Sequence, residues 1–581
     1  MSWRHHFLAL AFLGGTVLLG YRVVDLMVVQ RPLLQAEAAK RSDRMERMPA
    51  RRGVIRDRWG EPLAISTPVY KIFAEPKYMK ANAVVKPAQA RALAQVLALD
   101  GDDLERRLND RRIGYTLLAR QVEWNAAQRV RALEVPGVRL ETTYRRYYPA
   151  GEVAVQVVGF MGQVRDADSD RESLAPVEEG RGGIELAFND RLRMQPGVRR
   201  VVRDRDSHNI DDLGVVTPPK DGEDVTLSID LRLQYQAYRE LKAACAGHDA
   251  ASGSLVMLDA RTGEILALAN QPSLNPNQPL PADLAGLANA AIIAPLEPGS
   301  TAKPFTAIAG LESGKFSPDS EFDTNPGYFQ AGRLPVKDPV NYRTLSLTGV
   351  LKKSSQVGIV KLAMQLDRDA TYSVLKRVGF GSRTGSGLPA EHSGLLDARR
   401  LEREVDRLTW AYGYGFSVTP LQLARAYLTL ARAGNRPELS ILRVDSPPAG
   451  EQVIDPTIAR TMISMLEAVT EDAGTGHGAS IAGYRVAGKT GTARIYARNR
   501  GYDENNHSAL FAGLVPAENP AIVMVVILNQ PSKGVSGGGA VAAPVFARVA
   551  ERSLRLLGIP RLPSPGTEES DTRLLASRGM Q

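Results

Sequence analysis

Between Phe7 and Tyr21 the chain is apolar and carries no charged side chain. After Arg22 the pattern resumes as Val23-Val24, then Leu26 to Val29 around Asp25, which completes the ~20 residues needed to cross a bilayer. Residues 7–29 are read as a transmembrane anchor. Residues 1–6 form a cytoplasmic tip, because Arg4, His5 and His6 give the segment a positive flank. Arg22 and Asp25 lie one turn apart near the outer end, where pairing or snorkelling lowers their cost. A cleaved signal peptide is the rival reading. Ala36-Glu37-Ala38 resembles a cleavage triplet but lies well beyond the apolar run. Either way the bulk of the chain lies outside the cytoplasm.

Beyond the anchor the pattern changes several times. Residues 30–50 are polar and charged and read as a helical stalk. Arg52 to Gly60 followed by Pro62-Leu63-Ala64, with glycines and alternating Val/Ile, predicts a hairpin. Ala/Leu/Arg-rich windows from Pro87 to Leu133 have helical spacing. A turn at Arg146–Gly151 leads into strand-like Val153–Phe160, and Gly182–Ala187 opens a helix. Residues 30–220 are therefore an irregular α+β pedestal with no catalytic constellation, and Pro218–Asp224 is a linker. From 221 to 557 the pattern is more regular. Ser254–Asp259 and Ile265–Asn270 form a strand hairpin, and Leu421–Ala433 and Pro456–Val469 form helices. Ala521–Leu528 is an apolar run of strand length, placed at the centre of a sheet. After Gly558 the chain turns Pro/Ser/Glu-rich, so 558–581 reads as a flexible tail.

Composition narrows the function without choosing it. At 581 residues, 44% apolar and 24% charged, the chain is an ordinary globular protein of two or three domains. Its net charge of +9 is spread out, and its densest basic stretch, Lys40 to Arg58, follows the anchor. With no zinc-finger or RNA-binding signature, that charge fits an anionic wall or membrane surface rather than nucleic acid. One cysteine, Cys245, excludes an intramolecular disulfide and a Cys-rich metal site, and reads as a semi-buried helix residue. Seven scattered histidines without H-E-x-x-H argue against a catalytic metal, and no cofactor is implied.

Three short motifs carry the chemistry. In Pro298-Gly299-Ser300-Thr301-Ala302-Lys303, i,i+3 spacing on a helix brings an ammonium stem beside a hydroxyl that needs a base. Pro304, tolerated mainly in a first turn, pins Ser300 to a helix start, where free N–H groups favour an oxyanion. A desolvated pocket and a neighbouring cation lower the pKa of Lys303 toward a neutral base. The second motif is Ser354-Ser355-Gln356. The third is Lys489-Thr490-Gly491-Thr492, preceded by strand-like Gly483–Val486. A lysine and two hydroxyls on an edge strand suit a carboxylate, and Gly491 lets a substrate backbone pair as an added strand. Each motif alone is weak. Their order, at spacings of about 50 and about 135 residues, is the combination found in β-lactamases and penicillin-binding proteins.

The chain resembles the class B penicillin-binding proteins, and among them the division-specific peptidoglycan D,D-transpeptidases, from the anchor to about residue 555. Arg-Gly-x-Ile-x-Asp-Arg at 52–58, Arg-Tyr-Tyr-Pro-Ala-Gly at 146–151, Gly183-Ile184-Glu185, Tyr412-Gly413-Tyr414-Gly415 and Ser417-Val418-Thr419-Pro420 carry the likeness. It implies an α+β transpeptidase domain, a five-stranded antiparallel sheet flanked by helices, on a dimerisation-type pedestal. It implies that Ser300 attacks the penultimate D-Ala carbonyl of a peptidoglycan stem peptide, with Lys303 as base. Ser354 would relay a proton to the leaving amine and Lys489 would tune that relay. Thr490 and Thr492 would hold the substrate carboxylate, with the N–H groups of Ser300 and Thr492 as oxyanion hole. β-Lactams would acylate Ser300, in a bacterial inner membrane protein whose bulk is periplasmic. A membrane glycosyltransferase and other divisome proteins would be partners.

Two departures stand out. The second motif of the family ends in Asn, where this chain has Gln356, and aromatic residues common near Val535 and Ser536 are replaced by a Gly-rich loop. They point to altered rate or β-lactam preference in a specialised paralogue of the division enzyme. Two other readings compete. A serine β-lactamase needs a deacylating Glu-x-x-x-Asn downstream of the serine, yet the pattern noticed, Glu185 to Asn189, lies upstream. A catalytically weak divisome scaffold has Gln356 as its sole support.

Overall fold

The structure is a computed structural model that describes residues 3–32, 43–79, 84–164, 177–203, 209–281, 283–497 and 501–562. It comprises two compact units, neither of them one continuous stretch of chain. One consists of Met1–Gly53, Ser66–Tyr147 and Leu192–Glu223, the other of Val54–Ile65, Tyr148–Arg191 and Asp224–Gln581.

In the first unit an apolar helix over Trp3–Val24 continues as a π-helical turn, Asp25–Val29. His5–Val29 is long and apolar enough to cross a membrane. Arg22 and Asp25 form the expected ion pair at 2.5 Å, joined by the Gln30 amide. The stalk is corrected: Asp43–Met48 is a strand that pairs with Gly197–Arg203, held partly by the Arg199–Glu46 bridge, and residues 33–42 lie outside the described residues. Long-range pairing here overrides a polar composition that has no strand signature of its own. Helices Pro87–Leu97, Gly101–Asn109 and Trp124–Ala132 match the helical windows, but Thr116–Val122 between the last two is a strand paired with Tyr70–Ala74. Ile72, Leu93, Leu104, Leu108 and Val130 make the core there.

In the second unit the hairpin at 52–64 is present as Ile55–Arg56 paired with Pro62–Ala64. Val153–Phe160 is corrected from strand to a 3-10 turn, Gly151–Val153, and a helical turn, Val155–Val158. Val155 to Val158 are buried on every side, so the run carries no period that separates helix from strand. Helix Gly183–Ala187 follows as expected.

The main sheet is introduced in chain order: helix α1 (Leu231–Gly247), strands β1 (Ser252–Asp259) and β2 (Ile265–Gln271), and helices α2 (Lys303–Glu312), α3 (Leu347–Lys353), α4 (Gln356–Ala363), α5 (Pro420–Ala431) and α6 (Pro456–Thr470). Strands β3 (Ala487–Ala497), β4 (Gly501–Val515) and β5 (Ile522–Asn529) and helix α7 (Gly538–Leu556) complete it. The five strands are antiparallel in the order β2-β1-β5-β4-β3, as the family resemblance implied. β5 is central and buried from Ile522 to Leu528, which is why its sequence is a continuous apolar run rather than an alternation. α1 and α7 cover one face, with Phe511 against Phe546 edge-on at 4.8 Å. Asp230, Thr419 and Asp455 cap α1, α5 and α6 through their side-chain oxygens. Gly483–Val486 is corrected from strand to a turn closed by an Ile481–Tyr484 bridge, with Gly483 at φ +79°. The strand begins only at Ala487, as the edge strand of the sheet. Cys245 lies half-buried in α1, and burial pushes its thiol up to about 11, so it is not reactive. Of the tail expected at 558–581, residues 563–581 lie outside the described residues, while 558–562 is corrected from flexible to anchored: Tyr484 Oη donates to Ile559 O and Leu562 N to Gly483 O.

Candidate active site

Ser300 sits in a 3-10 turn, Gly299–Ala302, that leads directly into α2. Pro304 is the second residue of that helix, where its missing N–H costs nothing. The serine thus precedes the α-helical first turn by a few residues. Four bonds fix the turn and the helix it opens: Thr301 Oγ1 to Pro298 O, Tyr427 Oη to Thr301 O and Gly299 N to Gly413 O at 3.0 Å hold the turn, and Thr306 Oγ1 to Ala411 O holds the first part of α2. The Ser300 side chain is half-buried and makes no hydrogen bond among the described residues. Such bonds commonly tighten only when substrate binds.

Lys303 is fully buried. Its Nζ donates to Ser354 O at 2.5 Å and lies 3.3 Å from Ser354 Oγ. Burial pulls this ammonium down to about 7, while the Asp338 carboxylate pulls it back up. Ser354 adopts φ +57° at the end of α3, a left-handed turn that sets its carbonyl and hydroxyl on the lysine. Ser355 caps α4, accepting from Gly358 N and donating to Asp338 Oδ2. The N–H groups of Gln356 and Val357 donate to Asp338 Oδ1, while the half-buried Gln356 amide has no partner among the described residues.

The third motif lies on β3. Lys489 is fully buried and donates to Thr490 O and Oγ1. Burial, followed by repulsion from Lys303, holds its pKa well below the ordinary lysine range. Thr490 Oγ1 donates to Thr475 Oγ1, and exposed Thr492 accepts from Gly538 N. A Cβ on Gly491 would sit 3.0 Å from Thr301 Cγ2 and 3.2 Å from Pro298 O. The glycine therefore lets the Ser300 turn lie flat on the strand, a reason independent of any substrate. Lys303 and Ser354 meet directly, the Ser300 turn packs on Gly491, and the two lysines feel each other's charge.

Sequence reasoning missed Asp338, which follows the short strand Leu334–Lys337, accepts from Ser355 Oγ and from the N–H groups of Gln356 and Val357, and acts by its charge on Lys303 of the first motif. Nothing local marks a lone Asp at that place. It also gave no role to Tyr414, whose hydroxyl donates to Thr492 O and accepts from Arg494 N.

The chain has relatives among known proteins. The model of the penicillin binding protein transpeptidase domain matches residues 253–551, and that of the penicillin-binding protein dimerisation domain matches residues 47–227. Over 567 residues the chain is 39% identical to the peptidoglycan D,D-transpeptidase FtsI of Escherichia coli K12, covering 96% of this chain and 92% of the relative. It belongs to the class B penicillin-binding proteins. This class B penicillin-binding protein is also 36% identical to the probable peptidoglycan D,D-transpeptidase PbpC of Pseudomonas aeruginosa, over 96% of each chain. Among solved structures, penicillin binding protein 3 of Mycobacterium tuberculosis complexed with aztreonam superposes with a TM-score of 0.66 at 26% identity. That likeness covers 89% of this chain and 98% of the other.

Proposed function

We propose that the protein is a septal peptidoglycan D,D-transpeptidase in which Ser300 forms the acyl-enzyme. The carrying observation is Lys303, fully buried, held to about 7 and bonded to Ser354. Near neutral pH a large share of this amine is unprotonated and can take the Ser300 Oγ proton. Oγ then attacks the penultimate D-Ala carbonyl, and the N–H groups of Ser300 and Thr492 hold the oxyanion. As the C–N bond breaks, the proton passes through Ser354 Oγ to the leaving D-Ala nitrogen. Lys489 keeps that hydroxyl polarised, and Thr490 and Thr492 hold the terminal carboxylate. An amine of a second stem peptide attacks the ester and restores Ser300. A β-lactam follows the same first step and stays attached. The anchor at His5–Val29 supports a single-pass placement with the catalytic unit in the periplasm, beside a membrane glycosyltransferase of the division machinery.

Intact-protein mass after benzylpenicillin tests the reading. The wild type gains one penicillin, Ser300→Ala gains none, and Gln356→Asn is acylated at a changed rate because its amide retreats by one methylene. Labelling of Ser300→Ala as fast as wild type would overturn the assignment.

Asp338 provides a pH test. Its carboxylate opposes the downward pull on Lys303, so Asp338→Asn lowers that pKa further. Acylation requires the neutral amine and rises with pH through about 7 in the wild type. In the variant the midpoint of that rise moves to lower pH. A purely structural role would depress the plateau and leave the midpoint where it was.

A further inference from the structure

β3 has a strand neighbour on one side only, β4, so its other side offers backbone N–H and C=O groups for pairing. Two of those groups are taken by a side chain. Arg494 N–H donates to Tyr414 Oη at 3.0 Å, and that hydroxyl donates in turn to Thr492 O at 3.4 Å. In an antiparallel ladder the N–H and C=O of one residue face the same neighbour, so the Thr492 N–H opens on this side as well. Thr492 O lies 3.5 Å from the Cβ position of Gly299, the residue before Ser300.

The tyrosine is held from behind. Gly415 N donates to Glu297 Oε1 at 2.7 Å, Tyr502 Oη donates to the same oxygen at 2.9 Å, and Arg400 donates to Gly415 O at 2.7 Å. The Tyr414 ring stands 5.4 Å from Tyr502, edge-on, and 5.5 Å from Tyr412. Its hydroxyl therefore reaches the strand from a fixed loop. Of its two bonds to the strand, the longer and weaker is the one to Thr492 O.

In the transpeptidase reading the reacting carbonyl of the donor takes the Thr492 N–H. Residues that face each other in this way exchange both of their bonds, so the N–H of the same donor residue must reach Thr492 O. That acceptor is the one Tyr414 holds. We propose that the Tyr414 hydroxyl is a competing plug in the donor's strand-pairing site, and so a specificity-determining residue. It stands where the next peptide group of an added strand would stand. It yields Thr492 O to a donor whose own amide N–H replaces it there. A donor without that N–H leaves the hydroxyl in place and gains nothing from its removal. The assignment rests on the transpeptidase reading above.

Tyr414→Phe keeps the ring and removes only the hydroxyl. Second-order acylation rates of the full-length protein are measured with two penicillins of the same ring skeleton. Benzylpenicillin carries an amide N–H on the carbon next to the reacting carbonyl, whereas penicillanic acid sulfone has no side chain there. The ratio of the two rates, benzylpenicillin over sulfone, is expected to be at least ~3-fold higher in Tyr414→Phe than in wild type, the worth of one neutral hydrogen bond. A ratio is read because any misfolded fraction lowers both rates alike and cancels. Tyr502→Phe removes a neighbouring hydroxyl that bonds Glu297 rather than the strand, and its ratio stays within twofold of wild type. A smaller rise in Tyr414→Phe, a fall, or an equal rise in Tyr502→Phe overturns the plug. If wild type is not acylated, or Ser300→Ala is acylated as fast, the transpeptidase reading fails instead.

Discussion

Lys303→Met is expected to cut benzylpenicillin acylation by ~10³-fold and, at the same time, to raise thermal stability at pH 6. The first effect follows from removing the one amine bonded to Ser354 in the second motif. The second follows from linkage. Lysine in an unfolded chain titrates near ~10.4, whereas buried Lys303 titrates at about 7. Between those values the unfolded chain holds a proton that the folded one has released, so stability rises with pH across that window. Below about 7 both states are protonated and the full penalty remains, on the order of 4–5 kcal/mol at 1.36 kcal/mol per unit. Methionine of similar length removes the penalty and keeps the contacts, less the bonds to Ser354. Calorimetry at pH 6 and pH 10 checks it. The melting gap between variant and wild type is widest at pH 6 and narrows toward pH 10. A variant that melts lower than wild type at pH 6 would show that the lysine is not held in its charged-disfavoured state.

The turn that carries Ser300 and Lys303 was legible because it is local, although the groups bonded to or acting on Lys303, Ser354 and Asp338, come from later in the chain. Spacing puts Lys303 one turn from Ser300, and Pro304 marks where the helix begins, so the turn could be read from six residues. The β5 strand was legible because burial on both faces leaves an unbroken apolar run. Features made by distant contacts were not. Asp338 becomes important only when the strand before it is laid against the start of α4. The same holds for Asp43–Met48, a polar segment that becomes a strand through Gly197–Arg203. Val155–Val158 shows the converse: complete burial erased the periodicity that would have told helix from strand. Gly491 was placed correctly on an edge strand, yet the contact that requires a glycine there comes from Thr301 and Pro298, nearly two hundred residues earlier.

Gly413 is the sharpest case of a residue whose part is invisible in sequence, and Gly413→Ala is expected to reduce acylation by ~10²-fold or more in a protein that still folds. Its φ is +87°, a left-handed conformation that costs alanine about 1–2 kcal/mol. More important is where the new methyl would go. It would lie 2.0 Å from Gly299 O, 2.6 Å from Gly299 C and 2.7 Å from Gly299 N, all backbone atoms with no rotamer to yield. The Gly299 N to Gly413 O bond runs across the same contact. The turn carrying Ser300 must therefore move away from the loop, toward Gly491, where only 3.0 Å separates a Cβ position from Thr301. Gly60→Ala is the control, since Gly60 has φ +95° and nothing within 4 Å of its Cβ position. It carries the backbone strain without the collision. Penicillin acylation and melting temperature are measured for both. A larger loss of stability in Gly413→Ala than in Gly60→Ala, with acylation lost only in Gly413→Ala, establishes that the collision displaces the nucleophile. Acylation retained in Gly413→Ala as in Gly60→Ala would mean that the Ser300 turn tolerates the shift, and that its position is less constrained than its hydrogen bonds imply.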